Sequence, residues 1–404
     1  GMMAPLNLKP GNSAEVNIPF TKPRLKAGSE YFLKLILTLR VDEKWAPREH
    51  VVAWEQIAMP FDVPAVKPVH PETLTSLSYK EEGDWINVSG KTFNLKFNKK
   101  VGSITDLNYF GTPVLQTNPE AIYGVRPETQ MAYTDTQTTA RVAGPMLNIF
   151  RAPVDNDYMF GGGYGPKWRN GALYDMRPVV KNTSVAKQGD ALVITVEIDS
   201  KSPKGYVVRQ HTVWKIYGNG FIDVSSGFDP DKLDYSLAKL GFLMQMPKGF
   251  EKVTYYGAGP HENYRDRMRS SPIGRYETTV DDMFVPYLRT QDCGNRSKVR
   301  WFTLSNHDGI GMMVVADGSL NFSALHYTPL DLEKANHPYE LTRRDETILT
   351  VDMQHCGLGG GSCGPGPMNK YLLKPEKASF GFSIRPYVGN MGGMGDVAKM
   401  KLKN

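Results

Sequence analysis

The stretch YVVRQHTVWKIYGNGFIDVSSGF, residues 206–228, contains two strand-like runs separated by a short turn. Apolar and polar side chains alternate in both runs, as they do in an antiparallel strand that buries only one face. The residues between the runs, Gly218, Asn219 and Gly220, are the types that tolerate the backbone conformations of a tight hairpin. The stretch therefore predicts two neighbouring antiparallel strands.

The same pattern recurs from Leu77 to Tyr387. Asp308 and Gly309 mark a second tight hairpin, and Thr328 followed by Pro329 resembles the start of a capped helix. With so many strands and so little helix, this region is predicted to be an all-β domain of two large packed antiparallel sheets. The other strand-like runs are WINVSG, FNLKF, ALVITVEID, LGFLMQMP, VRWFTLS, IGMMVVAD, LNFSALHY, ETILTVDM and ASFGFSIRP.

The residues before this region predict a smaller β unit and a linker. Strand signals occur in EVNIPF, YFLKLILTLRV and VVAWEQIAMPF, which make up only part of a sandwich. The prolines of FDVPAVKPVHPETLTS favour an extended, semi-rigid connection. We expect a partial sandwich over 1–62, a linker over 63–75, the main domain over 76–390 and a C-terminal tail over 391–404.

Composition excludes several classes of function. The net charge of +6 in 404 residues is spread along the chain rather than gathered in the Lys/Arg blocks that nucleic-acid binding usually needs. No apolar run approaches the roughly 20 residues that span a bilayer, so no membrane partner is predicted. GMMAPLNLKPG lacks the features of a signal peptide, and none is expected in this stretch. The cellular compartment stays open.

No metal or cofactor is predicted. Cys293, Cys356 and Cys363 form no CxxC pair, which argues against a zinc ribbon and a disulfide framework. The segment that starts at Asp155 begins like a calcium-binding loop. Phe160 and Pro166, however, occupy the positions where such a loop needs glycine and glutamate.

Two charged segments, RAPVDND (151–157) and GPHENYRDR (259–267), are the candidates for a buried polar network. Isolated charges are costly to bury, so we predict that arginines and carboxylates of the two segments pair with one another. The alternative is an acid/base role for His261 with Glu262, or for His326, in a sugar epimerase. The predicted charge network consists of Arg151, Asp155, Asp157, Glu262, Arg265 and Asp266.

The segment HCGLGGGSCGPGP, residues 355–367, offers almost no side chains to a hydrophobic core. Glycine and proline at this density are typical of a flexible surface connection. They also allow a backbone to approach a ligand or a partner closely. The residues alone leave both interpretations open.

The order of NIFRAPVDND, YYGAGPHENYRDR, MFVPYLRTQDCGNRSKVRWF and QHCGLGGGSCGPGP resembles the C-terminal small-chain domain of β-galactosidases of glycoside hydrolase family 2. VVAWEQIAMP resembles the end of the immunoglobulin-like fourth domain of that family. The resemblance implies a galactose-mutarotase-like supersandwich preceded by part of an immunoglobulin-like sandwich. It implies as partners the N-terminal domains and a catalytic TIM barrel whose two glutamates perform the hydrolysis. No catalytic residue is therefore expected in this chain, which should be inactive alone.

The resemblance also implies a role for the glycine-rich segment, which in the family reaches the barrel and borders the galactoside site. Some members carry a tryptophan there, within GGxxSWxP, that can stack on a sugar ring. Alignment of Gly359, Gly360 and Ser362 places Cys363 at that position, followed by Pro365. A cysteine cannot stack as an indole does, but it can line a pocket as a small group. The alternative function is a stand-alone epimerase or carbohydrate-binding module of mutarotase-like fold.

Overall fold

The computed structural model describes residues 1–3, 5–6, 8–70, 74–117, 143–158, 163–360, 366–389 and 393–402. The chain divides into two compact units, Gly1–Lys67 and Pro68–Asn404. In the described residues, no helix has the length and hydrophobicity needed to cross a membrane.

The first unit contains one antiparallel hairpin, formed by β1 (Phe32–Thr38) and β2 (Val51–Ala58). EVNIPF was predicted to be a strand, but residues 15–20 form none, because that segment pairs with no neighbouring strand and contains Pro19. No residue of β1 or β2 is buried, and Ala46 is the only buried residue among those described in this unit. The hairpin therefore has almost no core of its own.

The second unit begins with a five-stranded antiparallel sheet whose strand order follows the chain. Each strand pairs with the next through a short turn. The strands are β3 (Ser78–Glu82), β4 (Trp85–Ser89), β5 (Phe93–Asn98), β6 (Ser103–Tyr109) and β7 (Thr112–Gln116).

A twelve-stranded antiparallel sheet forms most of the second unit. Its strands are β8 (Met146–Asn148), β9 (Arg177–Gln188), β10 (Ala191–Lys201), β11 (Val207–Tyr217), β12 (Ile222–Asp231), β13 (Lys239–Met246), β14 (Lys252–Ala258), β15 (Ile273–Thr279), β16 (Arg296–Ser305), β17 (Ile310–Leu325), β18 (Thr347–His355) and β19 (Ala378–Val388). Nine of them follow the order β15-β14-β16-β17-β19-β12-β11-β10-β9. β18 branches from β17, and β13 joins β18 to β8.

The described part of the second unit also contains four short helices. They are α1 (Gly165–Asn170), α2 (Val280–Met283), α3 (Pro329–Lys334) and α4 (Met394–Lys399). The predicted cap of α3 is confirmed: Thr328 accepts the Asp331 amide, and the Asp331 carboxylate accepts the Thr328 amide at 2.8 Å. Single 3₁₀ turns occur at Asp155–Tyr158, Pro338–Glu340 and Asn369–Tyr371.

Residues 206–228 form β11 and β12, as predicted, with continuous pairing from Val207 with Asp231 to Ile216 with Ile222. The turn closes through a hydrogen bond from the Gly220 amide to the Tyr217 carbonyl, 2.9 Å long. Alternate side chains of β11 are buried, and one of them, Trp214, packs edge-on against Phe97 of the five-stranded sheet. Because one hydrophobic core contains residues of both sheets, the predicted class of packed antiparallel sheets is confirmed.

One strand is longer than predicted. IGMMVVAD and LNFSALHY were expected to be separate strands, but Ile310–Leu325 is continuous. Its first half pairs with β19 and its second half with β18, so the strand changes neighbours near Gly318, whose φ is +88°. Glycine adopts this left-handed conformation without steric cost, so the strand can bend at Gly318 and continue.

The twelve-stranded sheet buries a polar cluster where β13 and β18 pair. Asp352 lies 3.4 Å from the Lys239 ammonium and 2.9 Å from His355 Nε2, and all three side chains are buried. Burial lowers the pKa of His355 below its ordinary 6.5, and the nearby Lys239 acts in the same direction. The imidazole is therefore neutral near pH 7, and its Nε2–H donates to Asp352.

We predict that replacing Gly218 with Ala destabilises the chain by about 2 kcal/mol or more. A Cβ at this position would lie 1.4 Å from the Thr75 carbonyl oxygen, so the backbone of one segment would have to move. The control is Gly227→Ala in β12, where the nearest atom is 3.9 Å from the added Cβ. Thermal unfolding measures both variants, and equal melting temperatures would contradict this close backbone packing.

The neutral, buried His355 predicts a pH dependence of stability. The pKa of His355 is lower in the folded chain than in the unfolded chain. Below about pH 6.5 the unfolded chain therefore binds a proton that the folded chain does not, and the stability decreases as the pH decreases. We expect the melting temperature of His355→Gln to fall less between pH 7.5 and about pH 5 than that of the unmutated chain. His307→Gln, at an exposed position, should keep the full pH dependence. Identical pH profiles for both variants would refute the assignment.

Candidate functional site

The glycine-rich segment leaves the twelve-stranded sheet at the end of β18. Its next residues are held by backbone hydrogen bonds, from the Cys356 amide to Ala238 O at 2.9 Å and from the Gly357 amide to Tyr371 O at 2.8 Å. Gly359 has a φ of +99°, a conformation that favours glycine. We call residues 356–359 the loop base.

The guanidinium of Arg151 binds the loop base from inside the protein. Its Nη1 donates to Cys356 O at 2.8 Å, and its Nη2 donates to Gly357 O at 3.0 Å. The same guanidinium holds Asp157 with two bonds, from Nε at 3.1 Å and from Nη2 at 2.8 Å. Arg151 and Asp157 are both buried, and the guanidinium lies over the Trp168 ring. Arginine suits the site because its planar donors serve several acceptors at once.

The Asp157 carboxylate receives one further bond, from the Val154 amide at 2.9 Å. Burial raises the pKa of the Asp157 carboxyl, and the charge and hydrogen bonds of Arg151 oppose that shift. The pair thus places a guanidinium, already balanced by a carboxylate, against two neutral carbonyls. This arrangement allows the charged Arg151 side chain to be buried.

Two further side chains complete the contacts to the loop base. Asn156 Nδ2 donates to Leu358 O at 3.1 Å, and the Gly359 amide donates to Asp266 Oδ2 at 2.9 Å. The position of Asp266 also explains why residue 357 is a glycine, since a Cβ on Gly357 would lie 2.6 Å from Asp266 Oδ2. Asp266 Oδ1 is buried and has no hydrogen-bond partner within the described part of the chain.

The two charged segments therefore meet at the loop base and not through cross-pairing, which corrects the prediction. Among the described residues, which include both segments in full, the ion pairs are local: Arg151 with Asp157, and Arg267 with Glu262 at 2.5 Å. Each segment turns back on itself, so its own carboxylate is the nearest one. Arg265 donates to Leu372 O at 3.0 Å, whereas the side chain of Asp155 is exposed.

Of the residues predicted in the glycine-rich segment, Gly359 belongs to the loop base and Gly360 is exposed. Ser362, Cys363 and Pro365 lie outside the described residues. Asn156 was not predicted as a site residue, because the prediction considered only charged side chains and Asn156 is a neutral residue between two aspartates. Its place directly before Asp157 in the sequence is the signal that could have found it.

The acid/base pair considered for an epimerase is not assembled. His261 is exposed and its Nε2 lies 2.9 Å from Ser270 Oγ. Glu262 is buried and accepts bonds from Arg267, from the Tyr287 hydroxyl and from the Gly294 amide. Burial, followed by the bond to Glu262, raises the pKa of Tyr287 to about 12, so the phenol stays protonated. These contacts hold Glu262 in place as an acceptor.

The third residue considered for acid/base chemistry, His326, lies in a different cluster. It is buried, and its Nε2 is 2.9 Å from Glu251 Oε2 and 3.8 Å from Asp281 Oδ1. These three side chains are the one group in the described residues whose ligand atoms converge as metal ligands do. Arg343, however, already donates to Asp281 at 3.0 Å and to Glu251 at 3.3 Å, and its bond to Asp281 lowers the pKa of that carboxyl. A guanidinium thus supplies the positive charge here.

The two described cysteines lie in the protein interior. Cys293 and Cys356 are both free and buried. Burial raises the pKa of the Cys293 thiol far above its ordinary value, which keeps it protonated and unreactive. Cys356 Sγ accepts a long hydrogen bond from Ser236 Oγ at 3.4 Å beneath the loop base.

Two family models match the chain. The model described as "Beta galactosidase small chain" matches residues 89–384, and "Beta-galactosidase, domain 4" matches residues 2–60. Among solved structures, the galactose 1-epimerase of Lactobacillus acidophilus NCFM aligns with a TM-score of 0.41 and 10% identity, covering 78% of this chain and 99% of that one. A putative mutarotase of Salmonella typhimurium gives 0.40 and 11%, covering 80% and 97%.

Curated relatives are β-galactosidases. The enzyme of Priestia megaterium (strain DSM 319 / IMG 1521) is 28% identical over 88% of this chain and 31% of its own length. That of Lactobacillus delbrueckii subsp. bulgaricus is 29% identical over 92% of this chain and 33% of its own length. The chain thus spans about a third of the relatives it matches. Since the small-chain model matches well over half of the residues, the chain belongs to the β-galactosidase small-chain family.

Proposed function

We propose that the chain is the C-terminal accessory part of a β-galactosidase that hydrolyses terminal β-D-galactosides. The catalytic carboxylates belong to a TIM barrel outside this chain, and the glycine-rich segment borders the sugar site of that barrel. The observation that carries the proposal is the loop base: four successive residues without a large polar or aromatic side chain are each held through their backbone. Such anchoring fixes where the following glycines begin.

Family membership and relative length support the proposal. The matched relatives are about three times as long as the aligned part of this chain, which leaves room in them for a barrel and further domains. Backbone amides and carbonyls of exposed glycines are suitable partners for sugar hydroxyls, because no side chain separates them from a ligand. Gly360 is an exposed residue of this kind at the end of the loop base.

The surface near the loop base supports a protein partner. The three most exposed large apolar side chains of the described second unit are Leu288 at 91%, Tyr339 at 82% and Met368 at 59%. Large apolar side chains with this degree of exposure favour a surface that another domain covers. Met368 belongs to the segment that binds the loop base, since its carbonyl accepts the Tyr371 amide and Tyr371 O accepts the Gly357 amide.

The other two exposed side chains are connected to the same region. Leu288 precedes Thr290, whose hydroxyl donates to the carbonyl of Ala335, just before the turn that contains Tyr339. The next residue, Gln291, accepts the Asp155 amide at 3.3 Å, beside the Asn156 contact to the loop base. Hydrogen bonds thus connect the segments that carry these exposed side chains with the segment of Asn156, which is consistent with one docking surface for a barrel.

The first unit supports the same reading from its own side chains. Apolar residues of β1 and β2, including Ile36, Leu37, Val52 and Ile57, are exposed, and almost nothing in the unit is buried. A two-stranded hairpin is marginal without further packing. The family match of residues 2–60 to domain 4 of β-galactosidase accounts for this surface as one that other strands of a sandwich cover.

We predict that the purified chain does not hydrolyse an aryl β-galactoside, and that it restores activity to a polypeptide containing the remaining N-terminal two-thirds of the Priestia megaterium relative. The relative's own C-terminal part is the positive control. A chain in which residues 360–366 are replaced by a short Gly-Ser linker should restore much less. Turnover by the isolated chain above a mock preparation would contradict the proposal. So would failure to restore activity when the control succeeds, or full activity without the loop.

A further inference from the structure

We infer that Arg151, Asn156 and Asp266 are positioning residues, which fix the direction in which the glycine-rich segment leaves the sheet and thereby set the affinity for galactoside. This inference rests on the proposed function. None of the three is a catalytic residue, because each acts on the loop base and not on substrate. Their common target is a run of four consecutive residues, Cys356 to Gly359.

The pattern of acceptors and donors shows that the three side chains act together. Arg151 binds the carbonyls of Cys356 and Gly357, Asn156 binds the carbonyl of Leu358, and Asp266 binds the amide of Gly359. Every residue of the loop base therefore has one side-chain bond to its backbone. No two of these bonds share a backbone atom, so each bond restrains a different peptide group of the loop base.

Glycine makes such anchoring necessary. A glycine loses more conformational freedom on ordering than any other residue, and this loss opposes a single fixed conformation. Gly357 and Gly359 have no side chain that could pack against the sheet and offset this cost. Hydrogen bonds to charged groups are stronger than those between neutral groups, so Arg151 and Asp266 can hold such a backbone in one conformation.

Asp266 separates a positioning role from a purely structural one. Its Oδ2 accepts the Gly359 amide, while its Oδ1 is buried and unpartnered within the described residues. Asparagine has the same shape, and its one carbonyl oxygen can take over the bond from Gly359. Asp266→Asn should therefore preserve the anchor, whereas Asp266→Ala removes it.

The experiment measures KM and kcat for an aryl β-galactoside in the reconstituted enzyme described above. Asp266→Ala should raise KM by roughly 10-fold, the equivalent of one lost anchoring bond, with kcat little changed because binding is what is lost. Asp266→Asn should restore KM to within about 3-fold of the unmutated value. Asp190→Ala is the matched control, since it removes an exposed aspartate in the turn between β9 and β10, outside the segments that hold the loop base. It should leave both constants unchanged.

Amide hydrogen exchange of the isolated chain provides the second readout. The Gly359 amide should lose protection in Asp266→Ala, and protection in β10 and β11 should stay as in the unmutated chain. Arg151→Lys keeps the charge but cannot serve both carbonyls and Asp157 together, so it should raise KM as well. Because Arg151 is buried and its variants are at risk of unfolding, the Asp266 series decides the matter.

Unchanged KM and unchanged Gly359 protection in Asp266→Ala would overturn the inference. A loss in Asp266→Ala that Asp266→Asn fails to restore would also count against it, since the hydrogen bond is retained there. The loop replacement distinguishes the two levels of the account. If that replacement keeps full activity, the proposed function itself fails. If it loses activity while Asp266→Ala stays normal, only the positioning role is refuted.

Discussion

The buried guanidinium of Arg151 is the interaction on which the candidate site depends. It joins the segment after β8, together with Asp157 of the 3₁₀ turn six residues further on, to the end of β18, about 205 residues away in sequence. Burying a cation is tolerable only when its charge is balanced and its nitrogens are hydrogen-bonded, and Asp157 with two loop carbonyls supplies partners for all three nitrogens of the guanidinium. Removing one partner leaves an uncompensated charge, so folding of this edge and the geometry of the loop base are coupled.

The sheets explain why this coupling reaches the loop. β18 lies between β13 and β17, and its last residue, His355, still pairs with Lys239 of β13, which fixes its position. The loop base follows immediately and is held by side chains from segments outside β18. A rigid sheet thus supplies the position of the loop, and buried hydrogen bonds supply its direction. This combination is what the proposed contact with another domain requires, because the loop has few side chains that could position it by packing.

Much of the fold is readable from the sequence because it depends on local rules. Alternation along residues 206–228 predicts β11 and β12, and Gly218 to Gly220 predicts the turn between them. The runs on either side of Gly318 were predicted to be separate strands, since a local pattern cannot show that a strand changes neighbours and continues. The strand expected at 15–20 fails for a related reason, because alternation alone cannot supply a neighbour to pair with.

The candidate site was only partly predictable, for a physical reason. The cost of burying charge predicts that Arg151 needs a partner, but it does not predict which one. The bonds that matter most run to carbonyl oxygens of Cys356 and Gly357, and every residue carries such an oxygen whatever its side chain. Asn156 is neutral and escapes an argument based on charge.

The central claim is that the loop base is held in a fixed position at the end of β18. Native-state hydrogen exchange of the unmutated chain tests this claim most directly. The Cys356 and Gly357 amides bond to Ala238 O and Tyr371 O. The account predicts that both are protected to a degree comparable with the amides of β18, far beyond a solvent-exposed glycine loop. If they exchange as rapidly as the amides of an unstructured peptide, the loop base is not anchored and the account is wrong.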